Sequence, residues 1–253
     1  MSNSGRFVWR ELVSTNPEKA TAFYTGLFGW SSATVDMPTG PYTMFKSGDQ
    51  DAGGMMAAPA PGIPSHWLDY ITVDDVDATV KTATAAGATV IAEPVDIPVG
   101  RFAVLSDPAG AAFGVLKSAT PEVSGADPDA KPKVGSFCWS QLMSKDLDAV
   151  TPFYARVFGW SSEPGPNGMV IFRRGETMVA SAMALPKENP APNHWLKYVL
   201  VEDADASTAK AEKLGAKTIA PLMTIEGMGR FSVLADPAGG IFSVWKNLGA
   251  SAA

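Results

Sequence analysis

The sequence predicts an α+β protein built from two tandem copies of one fold, and three landmarks carry that expectation. Phe7-Val8-Trp9…Phe23-Tyr24…Phe28-Gly29-Trp30 returns as Phe137-Cys138-Trp139…Phe153-Tyr154…Phe158-Gly159-Trp160, at an offset of 130. His66-Trp67-Leu68-Asp69-Tyr70 returns as His194-Trp195-Leu196-Lys197-Tyr198, at 128. Gly100-Arg101-Phe102…Asp107-Pro108-Ala109-Gly110 returns as Gly229-Arg230-Phe231…Asp236-Pro237-Ala238-Gly239, at 129. Landmarks in the same order at a nearly constant offset are the signature of a duplicated unit of about 120 residues.

Taken in order, each copy opens on a strand, Phe7 to Val13, rich in large apolar residues. Asn16 or Ser14 then caps a helix from Pro17 to Phe28. Proline suits its first turn, and Ala20, Phe23, Tyr24, Leu27 and Phe28 form an apolar stripe at helical spacing. Gly29 ends that helix, as Gly159 ends its twin. Strands follow through Tyr42–Phe45 and Gly53–Met56, and the Pro-rich stretch Pro59–Pro64 closes the first half. The second half repeats the order: a strand from His66 to Val73, a helix from Val76 to Ala86 closed by Gly87, and a strand from Thr89 to Ile91. Arg101–Leu105 and Ala112–Lys117 then make a hairpin turning on Asp107-Pro108-Ala109-Gly110. The segment from Ser118 to Gly135, punctuated by Pro121, Pro128 and Pro132, reads as a tether between copies.

Composition narrows the class of function. Hydrophobic content of 46% with 18% charged residues leaves ample material for two cores. A net charge of −6 and the lack of a Lys/Arg cluster argue against nucleic acid as a partner. The single cysteine, Cys138, excludes an internal disulfide framework and suits a reducing compartment. Met1 to Arg6 has no apolar signal core, and no run approaches the ~18 apolar residues of a membrane span. A cytoplasmic monomer or homodimer, with a small organic molecule as its partner and no membrane, is the expectation.

The Phe-Tyr helix, the Phe-Gly-Trp exit and the Asp-Pro-Ala-Gly hairpin together resemble the vicinal oxygen chelate superfamily. That superfamily holds glyoxalase I, extradiol dioxygenases and bleomycin-binding proteins, and this chain is similar to its tandem glyoxalase-like members. The resemblance implies two βαβββ modules per copy, forming a curved mixed sheet, or cup, with helices outside. It places one domain at 1–117, a linker at 118–135 and a second domain at 136–253. In metal-using relatives, ligands occupy positions that fall here on Trp9, Leu68 and Gly114 in copy one and on Trp139, Leu196 and Ser243 in copy two. None of these side chains suits a hard or borderline metal ion, so neither metal nor other cofactor is expected.

Residues two apart on a strand share a face. If the ligand positions face the cup, copy one's lining is Trp9, Glu11, His66, Tyr70 and Met56. Copy two's lining is Trp139, Gln141, His194, Tyr198 and Met183. Aromatic walls with a few polar tips suit a planar organic ligand. Glu11, His66 and His194 are the candidate acid–base groups. The two histidines could equally be strand-starting residues whose rings bond a loop carbonyl. Arg101 and Arg230 read either as clamps on Asp107 and Asp236 across the hairpin or as anion binders. Cys138 is expected to be buried and inert. The leading functional expectation is a metal-free small-molecule binder. The alternative is a metal-dependent or acid–base lyase, isomerase or hydroxylase of the same superfamily, glyoxalase- or dioxygenase-like, and a third reading is a regulatory protein whose cups are filled by their own side chains.

Overall fold

The computed structural model describes residues 4–37, 40–119 and 131–249. Sixteen strands and four α-helices alternate as strand, helix and three strands, four times over, among the described residues. The strands form two eight-stranded mixed sheets, one from each copy. Their orders are β2-β3-β4-β1-β5-β8-β7-β6 and β10-β11-β12-β9-β13-β16-β15-β14. In copy one these are β1 (Phe7–Ser14), α1 (Pro17–Phe28), β2 (Ser31–Met37), β3 (Gly40–Ser47), β4 (Gln50–Ala57), β5 (His66–Thr72), α2 (Val76–Ala85), β6 (Thr89–Ile97), β7 (Gly100–Ser106) and β8 (Ala112–Ser118). Copy two repeats them as β9 (Phe137–Ser144), α3 (Leu147–Phe158), β10 (Ser161–Pro164), β11 (Val170–Arg174), β12 (Thr177–Ala184), β13 (His194–Leu200), α4 (Ala204–Lys213), β14 (Lys217–Ile225), β15 (Gly229–Ala235) and β16 (Ile241–Asn247).

Local chemistry explains the helix limits. The Asn16 side chain accepts from the Lys19 amide, and Pro17 occupies the first turn. Gly29 takes a left-handed φ of 71°, and its amide closes on the Thr25 carbonyl. Asp146 and Gly159 do the same for α3. Asp75 and Asp203 cap α2 and α4. These caps satisfy amides that a helix start leaves open. Two strands exceed the sequence reading. β2 carries Ser-Ser-Ala-Thr-Val-Asp-Met and is almost wholly exposed, so nothing in its residue pattern signals a strand. β6 runs on past Pro94 to Ile97, accommodated by register shifts against β7. Most of the expected tether, residues 120–130, lies outside the described residues.

The chain divides into two compact units, and each draws on both copies. The first comprises Met1–Trp9, Leu68–Pro128 and Ser140–Leu196; the second comprises Arg10–Trp67, Asp129–Trp139 and Lys197–Ala253. In the first unit α2 packs on β6, β7 and β8 and against α3. Its core runs from Ile71, Phe113 and Val115 to Phe153, Tyr154, Trp160 and Trp195. In the second unit α4 packs on β14, β15 and β16 and against α1. Its core joins Leu12, Phe23, Tyr24 and Trp67 to Val201, Phe242 and Val244. Each large side chain fully buried in this way is worth roughly 1.5–3 kcal/mol.

The landmarks of the repeat meet inside these cores. In the second unit the Tyr24 hydroxyl donates to Asp236 Oδ2 at 2.9 Å and accepts from Trp67 Nε1 at 2.8 Å. In the first unit Tyr154 donates to Asp107 Oδ2 at 3.0 Å and accepts from Trp195 Nε1 at 3.0 Å. The Phe-Gly-Trp tryptophans also have a packing role. Trp30 Nε1 donates to the Gly135 carbonyl and Trp160 Nε1 to that of Gly5. Burial pushes both tyrosines well above the usual phenol range, reinforced by the carboxylate each one faces.

The expected arginine clamp on the hairpin aspartates is not formed. Arg101 pairs with Asp77 at 2.8 Å and Asp96 at 3.0 Å, and Arg230 with Asp205 at 2.6 Å. Asp107 and Asp236 are instead taken by their own hairpin amides and by a tyrosine from the other copy. Among the described residues no helix is long and apolar enough to cross a membrane.

Candidate functional site

Strand alternation separates a core face from an opposite face. On β5 the core takes Trp67 and Ile71, which leaves His66, Leu68, Tyr70 and Thr72 on the other side. In the first unit that opposite face carries an apolar cluster of Val8, Leu68, Tyr70 and Leu116, with Trp9, Phe102, Val104 and Ala112 packed on it. Tyr70 lies in register with Gly114, and its ring covers that glycine so closely that an added Cβ would collide with it. The Phe102 ring meets Tyr70 edge-on, with centroids 6.0 Å apart.

Copy two's counterpart, in the second unit, is more aromatic. Tyr198 lies in register with Ser243. Trp245 stands 5.9 Å from the Tyr198 ring and 5.8 Å from Phe231, with its indole over Gly229. Phe231 and Trp245 are half-buried, so part of each ring remains open.

Each unit also carries a buried polar side chain on its β1-type strand. In the second unit Glu11 on β1 lies in register with Gly54 on β4, and Gly54 with Met44 on β3. Glu11, Met44, Gly54, Met56 and Tyr42 therefore share one face, and Tyr42 arches back until its hydroxyl sits over Gly54. Glu11 is only 8% exposed. In the first unit Gln141 lies in register with Ser181, and Ser181 with Ile171. Gln141 Nε2 donates to Ser181 Oγ and to Met169 Sδ, each at 3.2 Å. Met183 follows on the same face of β12.

Both histidines bond a loop carbonyl: Nδ1 of His66 reaches the Pro64 oxygen and that of His194 the Pro192 oxygen, each at 2.8 Å. A neutral ring that donates from Nδ1 keeps Nε2 as an acceptor. Burial holds His66 below the ordinary imidazole range, and the Lys197 ammonium adds to that depression against the opposing pull of the Pro64 bond. Cys138 is half-buried rather than fully buried as the sequence suggested; it donates to the Tyr198 carbonyl at 3.4 Å, and desolvation pushes its thiol up to about 12.

Of the residues singled out from sequence, the first unit brings together Trp9 and Tyr70, and separately holds Gln141, Met183 and His194. The second holds Glu11, Met56 and His66, and also Trp139 and Tyr198. Sequence reasoning passed over Tyr42, Phe102, Ser181, Phe231 and Trp245. The paired glycines Gly53-Gly54 were the available signal for Tyr42, since glycine inside a strand often marks a close approach.

These positions do not fit a first-row divalent ion. Trp9 and Leu68 offer no donor, and the Tyr70 ring fills the space that a side chain at Gly114 would need. Among the described residues no group of three or more His, Cys, Asp and Glu is placed to hold a metal.

The Glyoxalase/Bleomycin resistance protein/Dioxygenase superfamily profile matches residues 6–115, and the Glyoxalase-like domain profile matches residues 139–245. The chain belongs to the glyoxalase/bleomycin resistance/dioxygenase superfamily. Within this superfamily it is 34% identical to the anthracycline biosynthesis protein DnrV of Streptomyces peucetius, over 95% of this chain and 92% of that protein. It is 50% identical to CFP32 of Mycobacterium tuberculosis over 121 residues, which span 47% of this chain and 46% of that protein, about half its length. Solved superfamily structures share its fold. The Mn(II)-bound glyoxalase from Novosphingobium aromaticivorans aligns at a TM-score of 0.68 and 17% identity, covering 98% of this chain and 84% of that one. The 2,3-dioxygenase LapB from Pseudomonas sp. KL28 aligns at 0.64 and 13%, covering 97% and 94%.

Proposed function

We propose that this protein binds a small planar or apolar organic molecule against the aromatic walls of its sheets, without a divalent metal ion. The observation that carries this reading is the replacement of the superfamily's ligand positions in copy one by packed apolar groups, with Tyr70 lying over Gly114. Aromatic side chains offer stacking area at little conformational cost, and Glu11, Gln141 and His66 supply the few polar tips that orient a bound molecule. Similarity to an anthracycline biosynthesis protein of Streptomyces supports a polycyclic aromatic class of ligand. Native mass spectrometry of the whole protein with 2,6-dihydroxyanthraquinone tests it. A complex of defined stoichiometry at micromolar ligand is expected, and a bare protein mass at every concentration would refute it.

A second reading is supported by Glu11, whose carboxylate is largely withdrawn from water on the face opposite the helices. An acid–base lyase or isomerase would use Glu11 with His66, which lies in the same unit, to move a proton. Turnover of a methylglyoxal–thiol adduct, abolished in Glu11→Gln, would favour that reading over passive binding.

A further inference from the structure

The walls of the two units are built from the same repeat positions and differ in what they leave open. In the second unit Phe231 on β15 and Trp245 on β16 are register partners. Their rings lie side by side, with centroids 5.8 Å apart and only 32° between their planes. Tyr198, 6% exposed, meets both at steep angles: 63° to Phe231 at 6.0 Å and 87° to Trp245 at 5.9 Å. A buried ring that abuts both neighbours edge-on fixes their tilt. Gly229 stands two residues before Phe231 on the same face, and a Cβ there would collide with the indole. The glycine therefore lets the indole lie down over the strand. Phe231 and Trp245 are both half-buried, so part of this two-ring surface stays accessible. In the first unit Leu116 takes the place of Trp245 as register partner of Phe102. Leu116 is 5% exposed and packs with Val8, Leu68 and Tyr70. An aliphatic side chain thus closes the position where the second unit presents an indole.

We propose that Trp245 and Phe231 form a stacking plate that makes the second unit the high-affinity site of the chain and selects flat, fused-ring ligands over twisted ones. The proposal rests on the ligand-binding reading above and deepens it by naming the unit, the residues and the shape of the ligand. Two neighbouring rings inclined by 32° present a nearly continuous π surface, and offset stacking favours a ligand whose own π system spans both. A molecule whose rings are turned out of one plane can cover only one of the two at a time. Tyr198 and Gly229 are positioning residues, the first holding the tilt and the second clearing space for the indole. In the first unit the leucine at this position is committed to packing, so a flat ligand gains less there.

The test compares 2,6-dihydroxyanthraquinone, whose rings are fused flat, with 4,4′-dihydroxybenzophenone, which keeps a carbonyl and both hydroxyls on two rings twisted about that carbonyl. Each is titrated into the full chain by calorimetry. The parent protein is expected to bind one equivalent of the flat compound, at least about tenfold more tightly than the twisted one. Trp245→Leu, which installs copy one's side chain, is expected to weaken the flat compound at least about tenfold and to bring the ratio below about threefold. Trp245→Phe, which keeps a ring, should retain most of the preference. Gly229→Ala, which keeps all three rings but displaces the indole, should lower the ratio, and it carries the same expectation and refutation should the leucine variant not fold. Because the readout is a ratio of affinities, a general loss of stability does not mimic the effect. The quinone's aromatic protons should also move upfield by NMR on binding to the parent and not on binding to Trp245→Leu. Equal binding of the two compounds by the parent, two equivalent sites per chain, or an unchanged ratio in Trp245→Leu would overturn the plate while leaving ligand binding intact. Binding of neither compound would overturn both.

Discussion

Replacing Tyr24 by phenylalanine removes one oxygen atom and keeps the ring, so the stacking on Trp30 at 5.7 Å survives. The oxygen lost has two jobs in a site with no exposure. It donates to Asp236 Oδ2 at 2.9 Å and accepts the indole proton of Trp67 at 2.8 Å. Loss of a bond to a carboxylate costs about 1.5–3 kcal/mol, and stranding a buried indole N–H costs about 1–3 kcal/mol more. Asp236 keeps its amide donors from Ala238 at 2.7 Å and Gly240 at 3.0 Å, which limits the first cost to the lower part of its range. The expected destabilisation is about 3–5 kcal/mol, read from urea unfolding followed by circular dichroism. In a Trp67→Phe background the same change should cost less, by about 1–2 kcal/mol, because no indole proton is left to strand. Tyr154→Phe should behave alike in the first unit, through Asp107 and Trp195. A Tyr24→Phe cost below about 1 kcal/mol, or one unchanged in the Trp67→Phe background, would refute the hydrogen-bonded core described above.

Other perturbations follow from the same geometry. Gly54→Ser should destabilise by about 1–3 kcal/mol because its Cβ meets the Tyr42 phenol, and adding Tyr42→Met, which reproduces copy two's Ser181 and Met169, should restore most of the loss in urea unfolding. His66 should titrate below 6.5 by NMR, because burial disfavours the imidazolium. Its folded pKa is depressed, so the unfolded chain takes the proton first, and stability should fall as pH drops from about 6.5 toward the folded value. His66→Gln should remove that part of the acid slope, and an unchanged slope would contradict the assignment. Cys138, with its thiol at about 12, should react with a disulfide reagent at pH 7 only when urea unfolds the chain. Rapid labelling of the folded protein would show that the thiol is not enclosed.

The repeat and the helix ends were legible in the sequence because their causes are local. Asn16, Pro17 and Gly29 each act within a turn of their own position. β2 was not, because an edge strand with a polar, exposed sequence leaves no alternating pattern to read. The site was half legible. Alternation along β5 grouped His66, Leu68 and Tyr70, but Tyr42 reaches the face of Glu11 only through the register of β3 on β4 and β4 on β1. The fate of Asp107 was hidden for a similar reason. Its partner is Tyr154, 47 residues away in the other copy, whereas Arg101, six residues away, turns to Asp77 at the start of α2.

The central claim is that ligand binding here needs no metal, and equilibrium titration of chelator-treated protein with 2,6-dihydroxyanthraquinone tests it most directly. Fluorescence quenching should give the same micromolar affinity before and after Mn²⁺, Zn²⁺ or Fe²⁺ is restored. Binding that vanishes on chelation and returns with a stoichiometric ion would show that the apolar cluster of Trp9, Leu68 and Tyr70 has been misread.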